Sequence, residues 1–300
     1  MKDEISQFIL TYFTIYPVDF SIKRGVSSLR GKHIRVQGEG MNIPLLFRAA
    51  SFLTGFAALL LAEGAIPYAR SEQKKSFRIL FHLSISMANS IILYLILTRP
   101  IFAALALTES RNMGLARLLG LSGWGEIAAT VMIFDFWVYW MHRANHRVPF
   151  LWRFHKAHHS DMEIDVTTSA RFHPGELIIS NGVKCLVILA WGPSLAGLVA
   201  FDILVTAFAQ FHHSNLDIPR PLLDPLERMI VTPRMHRCHH ALHKNCFDTN
   251  FATILSVWDR IGRSYHLAGD RIEMERIGLP KPRGPVTMQL APFLLTPMKP

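Results

Sequence analysis

LIISNGVKCLVILAWGPSLAGLVAFDILVTAFAQFH, residues 177–212, decides the architecture. It is apolar for far longer than the ~20 residues a helix needs to cross a ~30 Å hydrocarbon core, and Trp191, Gly192 and Pro193 interrupt it near its middle. Proline lacks an amide donor and clashes with the preceding turn, so the stretch predicts two membrane helices joined by a tight turn. Moving outward, Ile43 to Ile66 and Ile79 to Thr98 each reach spanning length and flank the basic segment Tyr68 to Arg78, which predicts a helical hairpin. Leu121 to Met141 is a further candidate, apolar apart from Glu126 and Asp135. The expected fold is therefore all-α, a multi-pass transmembrane bundle of about four to five membrane helices. Residues 1–120 are expected to be an N-terminal membrane region, 121–266 the part that holds every histidine motif, and 267–300 a C-terminal tail that is Pro-rich and without periodicity over 280–300. Near the start, Ile5 to Phe20 is too short to span and predicts an interfacial segment, followed by the basic stretch Ser21 to Met41.

Composition agrees with a membrane protein: 50% of the residues are hydrophobic. The formal charge of +10 does not call for nucleic acid, because Lys and Arg collect at the ends of apolar runs, as in Arg70 to Arg78 and Arg143 to Lys156. Cytoplasmic flanks of membrane helices explain this charge, with a docking surface for an acidic electron donor as the lesser alternative. Cys185, Cys238 and Cys246 form no Cys-x-x-Cys pair, so three free thiols in a reducing compartment are expected. The opening MKDEISQFIL carries early acids and does not read as a signal peptide. If the basic loop 68–78 is cytoplasmic, the later crossings return Met141 and His213 to the same side, and every histidine motif shares that face. The basic residues Lys23, Arg24, Arg30, Lys32 and Arg35 conflict with that topology unless 5–20 is a half-buried segment.

Outside the apolar runs stand HRANH (His142, His146), HKAHH (His155, His158, His159) and HRCHH (His236, His239, His240). Residues at i, i+3 and i+4 share one helix face with Cβ atoms ~5–6 Å apart, so each motif aims two or three imidazoles at one point. With 15 histidines in 300 residues, a given start matches HxxHH by chance roughly once in ten thousand. His213, in FHHSN, is a ninth candidate ligand. Nine imidazoles exceed the needs of one ion and predict a dinuclear site. Imidazole suits zinc, iron, copper and nickel, while the lack of thiolate pairs and the scarcity of carboxylates disfavour a zinc finger, magnesium or calcium. Iron is preferred over zinc on function, since a redox metal beside lipid can use O2 as co-substrate, whereas hydrolysis needs water.

Other residues are candidates for holding the ligands. Asp135 lies two turns before His142 on the same face and is expected to accept an N–H from a ligand imidazole; His212, His173 in RFHPGE, Asp248 and Asn250 are weighed for similar support. Phe134, Phe136, Trp137, Tyr139 and Trp140 predict an interfacial aromatic belt, and Glu163 and Asp165 a solvated acidic loop. The rival readings are a zinc-dependent membrane lipid hydrolase and a non-enzymatic metal-binding membrane protein or transporter. Transport is disfavoured because the histidines cluster outside the apolar runs, within which lie few ionisable residues such as Glu63, Asp135, Lys184 and Asp202.

HxxxH followed by two HxxHH motifs resembles the fatty acid hydroxylase and sterol desaturase superfamily over about residues 121–266. DFWVYWMHRANH, LWRFHKAHHS, RFHPGE, FHHSN, MHRCHH and FDTNFATILSVWDRIGRSY look like its bacterial sterol-desaturase-type branch, related to alkylglycerol monooxygenase. That resemblance implies a helical membrane anchor under a cytosolic di-iron site, O2-dependent hydroxylation or desaturation of a lipid, and a separate electron donor such as a cytochrome, ferredoxin or reductase. Consistent with a separate donor, no GxGxxG loop occurs in these residues. FHHSN is shorter than the paired motif expected there, which leaves a tenth ligand position open.

Overall fold

The structure, a computed structural model, describes residues 42–266, 274, 276–279 and 288–298. The readings for 5–20 and 21–41 lie outside the described residues. In chain order the helices are α1 (Asn42–Ala65), α2 (Lys75–Ser110), α3 (Leu115–Leu118), α4 (Gly123–Arg147), α5 (Pro149–His159), α6 (Pro174–Trp191), α7 (Leu195–His213), α8 (Arg220–Leu226), α9 (Pro233–His240), α10 (Val257–Ile261) and α11 (Leu290–Leu294), with 3-10 turns at Val166–Ala170 and Thr296–Met298. No strand occurs among the described residues. The chain divides into two compact units, Met1–Leu53 and Thr54–Pro300, and all the histidine motifs belong to the second.

Four segments are long and apolar enough to cross a membrane: Leu46–Ala65, Lys75–Leu118, Pro174–Trp191 and Leu195–His213. They mark an integral membrane protein. The break at 191–193 makes the turn expected of it: Gly192 ends α6 at φ 70, where a Cβ would sit 2.3 Å from the Met113 carbonyl, and the Ser194 side chain caps α7 by accepting from Gly197 N. One expectation fails at α2. It does not stop near Thr98 but runs 36 residues, through Pro100 to Ser110. Burial of Ala104, Leu105 and Thr108 beyond the proline offsets the lost hydrogen bond.

Helix α4, with 25 residues, is less apolar than those four because its last turns carry His142, Arg143, His146 and Arg147. Its middle is core rather than belt. Phe134 packs on Phe201 with ring centroids 5.2 Å apart, and Tyr139 is also buried, bonding Ser264 Oγ at 2.8 Å. Of the aromatics read as interfacial, Phe136 and Trp140 do lie exposed. Ionisable groups inside the apolar runs find partners: Glu63 accepts from Lys75 and from the amides of Val166 and Asn215, and Lys184 pairs with Asp202.

The region around Asp161 and Asp165 is a correction. Asp165 is buried rather than solvated, as are Asp161 and Arg78, while Glu163 is half-buried. Arg78, wholly buried at the start of α2, donates to both oxygens of Asp161 (2.8 and 3.0 Å) and to Asp165 (2.8 Å), while Glu163 accepts from the amides of Glu72 and Gln73. The loop 161–171 is thereby bound to the foot of α2 by charge. A second correction concerns the cysteines: Cys238 and Cys246 are joined in a disulfide, leaving Cys185 free. Their spacing of eight residues is no recognised motif; the turn that follows α9 brings them together.

Candidate metal centre

Four helix ends converge on one place. α4 ends in His142 and His146, α5 in His155, His158 and His159, α7 in His212 and His213, and α9 in His236, His239 and His240. Pro149 and Pro233 start α5 and α9 at their first turns, and the Thr232 side chain caps α9 by accepting from Met235 N, which fixes where each short helix begins and hence where its imidazoles point. The nine predicted ligands fall into two groups. His142, His146, His155, His159 and His239 form one; His158, His213, His236 and His240 form the other; within each, the candidate ligand atoms lie within 4.8 Å of one another. Both HxxHH motifs serve both groups. The i, i+4 pair of HKAHH enters the first group and its middle histidine the second, whereas HRCHH does the reverse.

Hydrogen bonds assign the tautomers. A carbonyl oxygen or carboxylate only accepts, so an imidazole Nδ1 bonded to one carries the proton and leaves Nε2 bare. His142 Nδ1 donates to Phe251 O (2.8 Å), His155 Nδ1 to Glu176 Oε1 (2.8 Å), His239 Nδ1 to Thr249 O (2.6 Å), His158 Nδ1 to Arg171 O (3.1 Å) and His213 Nδ1 to Ala209 O (2.6 Å). The Nε2 atoms of His142, His155 and His239, and that of His159, are buried without a partner among the described residues. In the other group the bare Nε2 atoms of His158 and His213 face each other at 3.1 Å, with His236 Nε2 2.9 Å from His213 and His240 Nε2 3.2 Å from His236. Two lone pairs at that distance repel unless a cation lies between them. Ligands on a tetrahedral ion with ~2.0–2.1 Å bonds would stand about 3.3 Å apart, so the residues present fit a metal in each group. Burial first, and neighbouring imidazoles after it, hold His158, His159, His236, His239 and His240 below the usual histidine range, His239 down to about 3. The neutral form that ligates metal is thus the resting form.

The segment 249–253 explains two of the five anchors and a third beside them. The carbonyls of Thr249, Phe251 and Thr253 take the Nδ1–H of His239, His142 and His212 from three different helices, the chain turning at Asn250, whose φ is 54. Its amides are held from behind: Asp259 accepts from Phe251 N and Ala252 N, and Asp135 from Ile254 N, Leu255 N and Trp258 Nε1. Asp135 therefore supports the ligands through this segment and does not accept from an imidazole. Asn250 likewise bonds only backbone, at Met235 O and His266, with φ 54. His173 caps α6, accepting from Gly175 N at 3.0 Å, and its Nε2 reaches Leu294 O at 3.1 Å. His212 packs its ring 4.0 Å from that of His236. Asp248 Oδ1 stands 3.5 Å from His146 Nδ1. Glu176 is the supporting residue that sequence reasoning misses; three residues after His173 and at the first turn of α6, it reads as a helix-start acid, and only the fold sets it against His155.

Residues 127–264 match the family profile for fatty acid hydroxylase. The chain is 29% identical to the human alkylglycerol monooxygenase across 46% of its own length and 30% of the relative's. It is 27% identical to the ornithine lipid hydroxylase of Rhizobium tropici across 47% of its own length and 42% of the relative's, and 26% identical to a very-long-chain aldehyde decarbonylase of Oryza sativa subsp. indica across 46% and 23%. The chain thus spans less than half the length of these relatives. No solved structure matches it.

Proposed function

We propose that this chain, whose residues 127–264 match the fatty acid hydroxylase profile, is a membrane-bound, O2-dependent oxidoreductase that hydroxylates a C–H bond of a lipid, with desaturation as the outcome if a second hydrogen is lost. The observation that carries the reading is the convergence of bare, buried imidazole nitrogens into two groups at the ends of α4, α5, α7 and α9, of which α7 is an apolar span. His142, His146, His155, His159 and His239 would hold one ion and His158, His213, His236 and His240 the other. Two irons bound there would supply activation of O2 for attack on an unactivated C–H bond.

The chain's own part is to bind, orient and exclude water. Nδ1 anchors, four on backbone carbonyls and one on Glu176, keep five imidazoles in one tautomer, so no ligand must rotate or shed a proton before use. Burial of the ligand nitrogens keeps bulk water from the reacting position. α6 and α7 are apolar along their lengths and α7 runs directly into the site, so a lipid chain lying along them reaches it without leaving the bilayer. The relatives' names support the class: one is a monooxygenase of alkylglycerols, another a hydroxylase of ornithine lipids. Electrons would come from a separate donor, a cytochrome, ferredoxin or reductase, docking on a cytoplasmic histidine face rich in Arg and Lys.

Metal analysis of the detergent-purified chain from iron-replete cells, followed by lipid mass spectrometry under 18O2 with a reductant, tests the proposal. About two irons per chain and one 18O atom per oxidised lipid are expected. Two zincs, no 18O incorporation and release of lipid head groups would replace it with hydrolysis.

A further inference from the structure

What stands behind the imidazoles differs between the two groups. In the five-histidine group, His155 Nδ1 donates to a carboxylate, Glu176 Oε1, at 2.8 Å, and Asn145 Nδ2 donates to the same oxygen at 3.1 Å. Glu176 is 6% exposed, and its second oxygen, Oε2, is buried with no hydrogen-bond partner among the described residues. No Lys or Arg among the described residues forms an ion pair with it. His146 Nδ1, in the same group, lies 3.5 Å from Asp248 Oδ1. In the four-histidine group the imidazole anchors are the carbonyls of Arg171 and Ala209, the carboxylates that act on His213, Asp161 and Asp165, are already paired with Arg78, and the Nδ1 atoms of His236 and His240 are buried without a partner among the described residues.

A buried carboxylate without a cation is costly, and a metal ion on the far nitrogen of His155 supplies the missing positive charge through the ring. Linkage makes the effect mutual: the ion stabilises the Glu176 anion by the same free energy with which the anion tightens the ion's binding. A backbone carbonyl orients an imidazole but has no net charge to contribute.

Resting on the reading that both groups hold metal, we infer that Glu176 makes the two positions unequal, so that the five-histidine position fills first and empties last. Glu176 acts through His155 as a positioning residue and touches neither substrate nor the reacting atoms. The inequality also assigns the easily lost ion to the four-histidine position, which has fewer nitrogens around it.

The test uses the full chain in detergent, stripped and reloaded with Co(II) alone, then titrated with a chelator while bound cobalt is counted by elemental analysis and its visible spectrum recorded. The unsubstituted chain is expected to release two equivalents in two separated steps. Glu176→Gln keeps the shape and the contact to Asn145 but removes the charge; it should weaken the tighter step about 10–100-fold and leave the weaker step in place. His240→Ala should delete the weaker step and spare the tighter one. Two indistinguishable steps in the unsubstituted chain, or a Glu176→Gln variant with an unchanged tighter step or with both steps weakened alike, would overturn the inference. A lower melting temperature of metal-free Glu176→Gln protein would also overturn it, by showing a merely structural role. Failure of the unsubstituted chain to take up a second equivalent would instead remove the two-metal reading itself.

Discussion

Replacing Arg78 by Met tests whether charge buried at the foot of α2 holds the cap that carries the ligands. The guanidinium is 0% exposed and makes five hydrogen bonds: two to Asp161, one to Asp165 Oδ2, one to the Glu163 carbonyl and one to Thr168 Oγ1 at 3.3 Å. Methionine fills much of the volume but leaves buried Asp161 without its ion-pair partner and Asp165 with Lys75 alone, 3.1 Å away. Breaking a buried ion pair from one side costs about 3–5 kcal/mol. At roughly 2–4 °C per kcal/mol for a chain of this size, the melting temperature in detergent should fall by roughly 6–20 °C. Metal content should fall with it, since the loop so released contains Arg171, whose carbonyl anchors His158.

The pH dependence has a definite sign. Burial raises the Asp165 carboxyl, but Arg78 more than reverses this and holds it at about 2, below the usual 3.8. In the parent protein that depressed value contributes stability that is fully present above pH 3.8 and is lost as pH falls through about 2. Without Arg78 the main opposing charge to burial is gone, the carboxylates take up protons more readily, and the deficit of the variant narrows as pH is lowered from 7 to 5. Arg78→Lys, which keeps the charge but not the fork, should fall between the two. A fluorescence-monitored melt of Arg78→Met within a degree or two of the parent, with full metal content, would refute the reasoning.

His158→Ala and His239→Ala each remove a nitrogen from a different metal group and should cut bound metal and lower turnover at least roughly 100-fold while the protein stays inserted, as read by elemental analysis and membrane fractionation. Asp135→Ala strips the acceptor from Ile254 N, Leu255 N and Trp258 Nε1 and should destabilise the fold by about 3 kcal/mol in a denaturant titration, with Asp135→Asn milder. Because His239 is held near 3, its contribution to folding is fully present above pH 6.5 and is lost as pH falls toward 3; metal release followed across that window should be steeper than a single-proton titration. Non-reducing peptide mapping should link Cys238 to Cys246 and find Cys185 alkylated.

The sequence alone determined what depends on neighbours along the chain. The two-helix break at Trp191 to Pro193, the lengths of the apolar runs and the i, i+3, i+4 spacing of the histidines are local properties, and a helix converts each into geometry without outside help. That nine imidazoles gather in one place was legible for the same reason. Their division into five and four was not, because it is set by how α4, α5, α7 and α9 cross, and crossing is decided by packing between elements up to about a hundred residues apart. The supporting atoms belong to that second kind as well. Thr249, Phe251 and Thr253 serve through carbonyls that every residue possesses, so no side chain announces them. Arg78 read as a charge flanking a membrane helix and Glu176 as a helix-start acid, since either side chain in isolation is best solvated by water; only burial beside Asp161 and His155 turns them into internal counter-charges. Helix α2 passes Pro100 for a related reason: local preference opposes it there, and buried apolar contacts in the assembled bundle outweigh that preference.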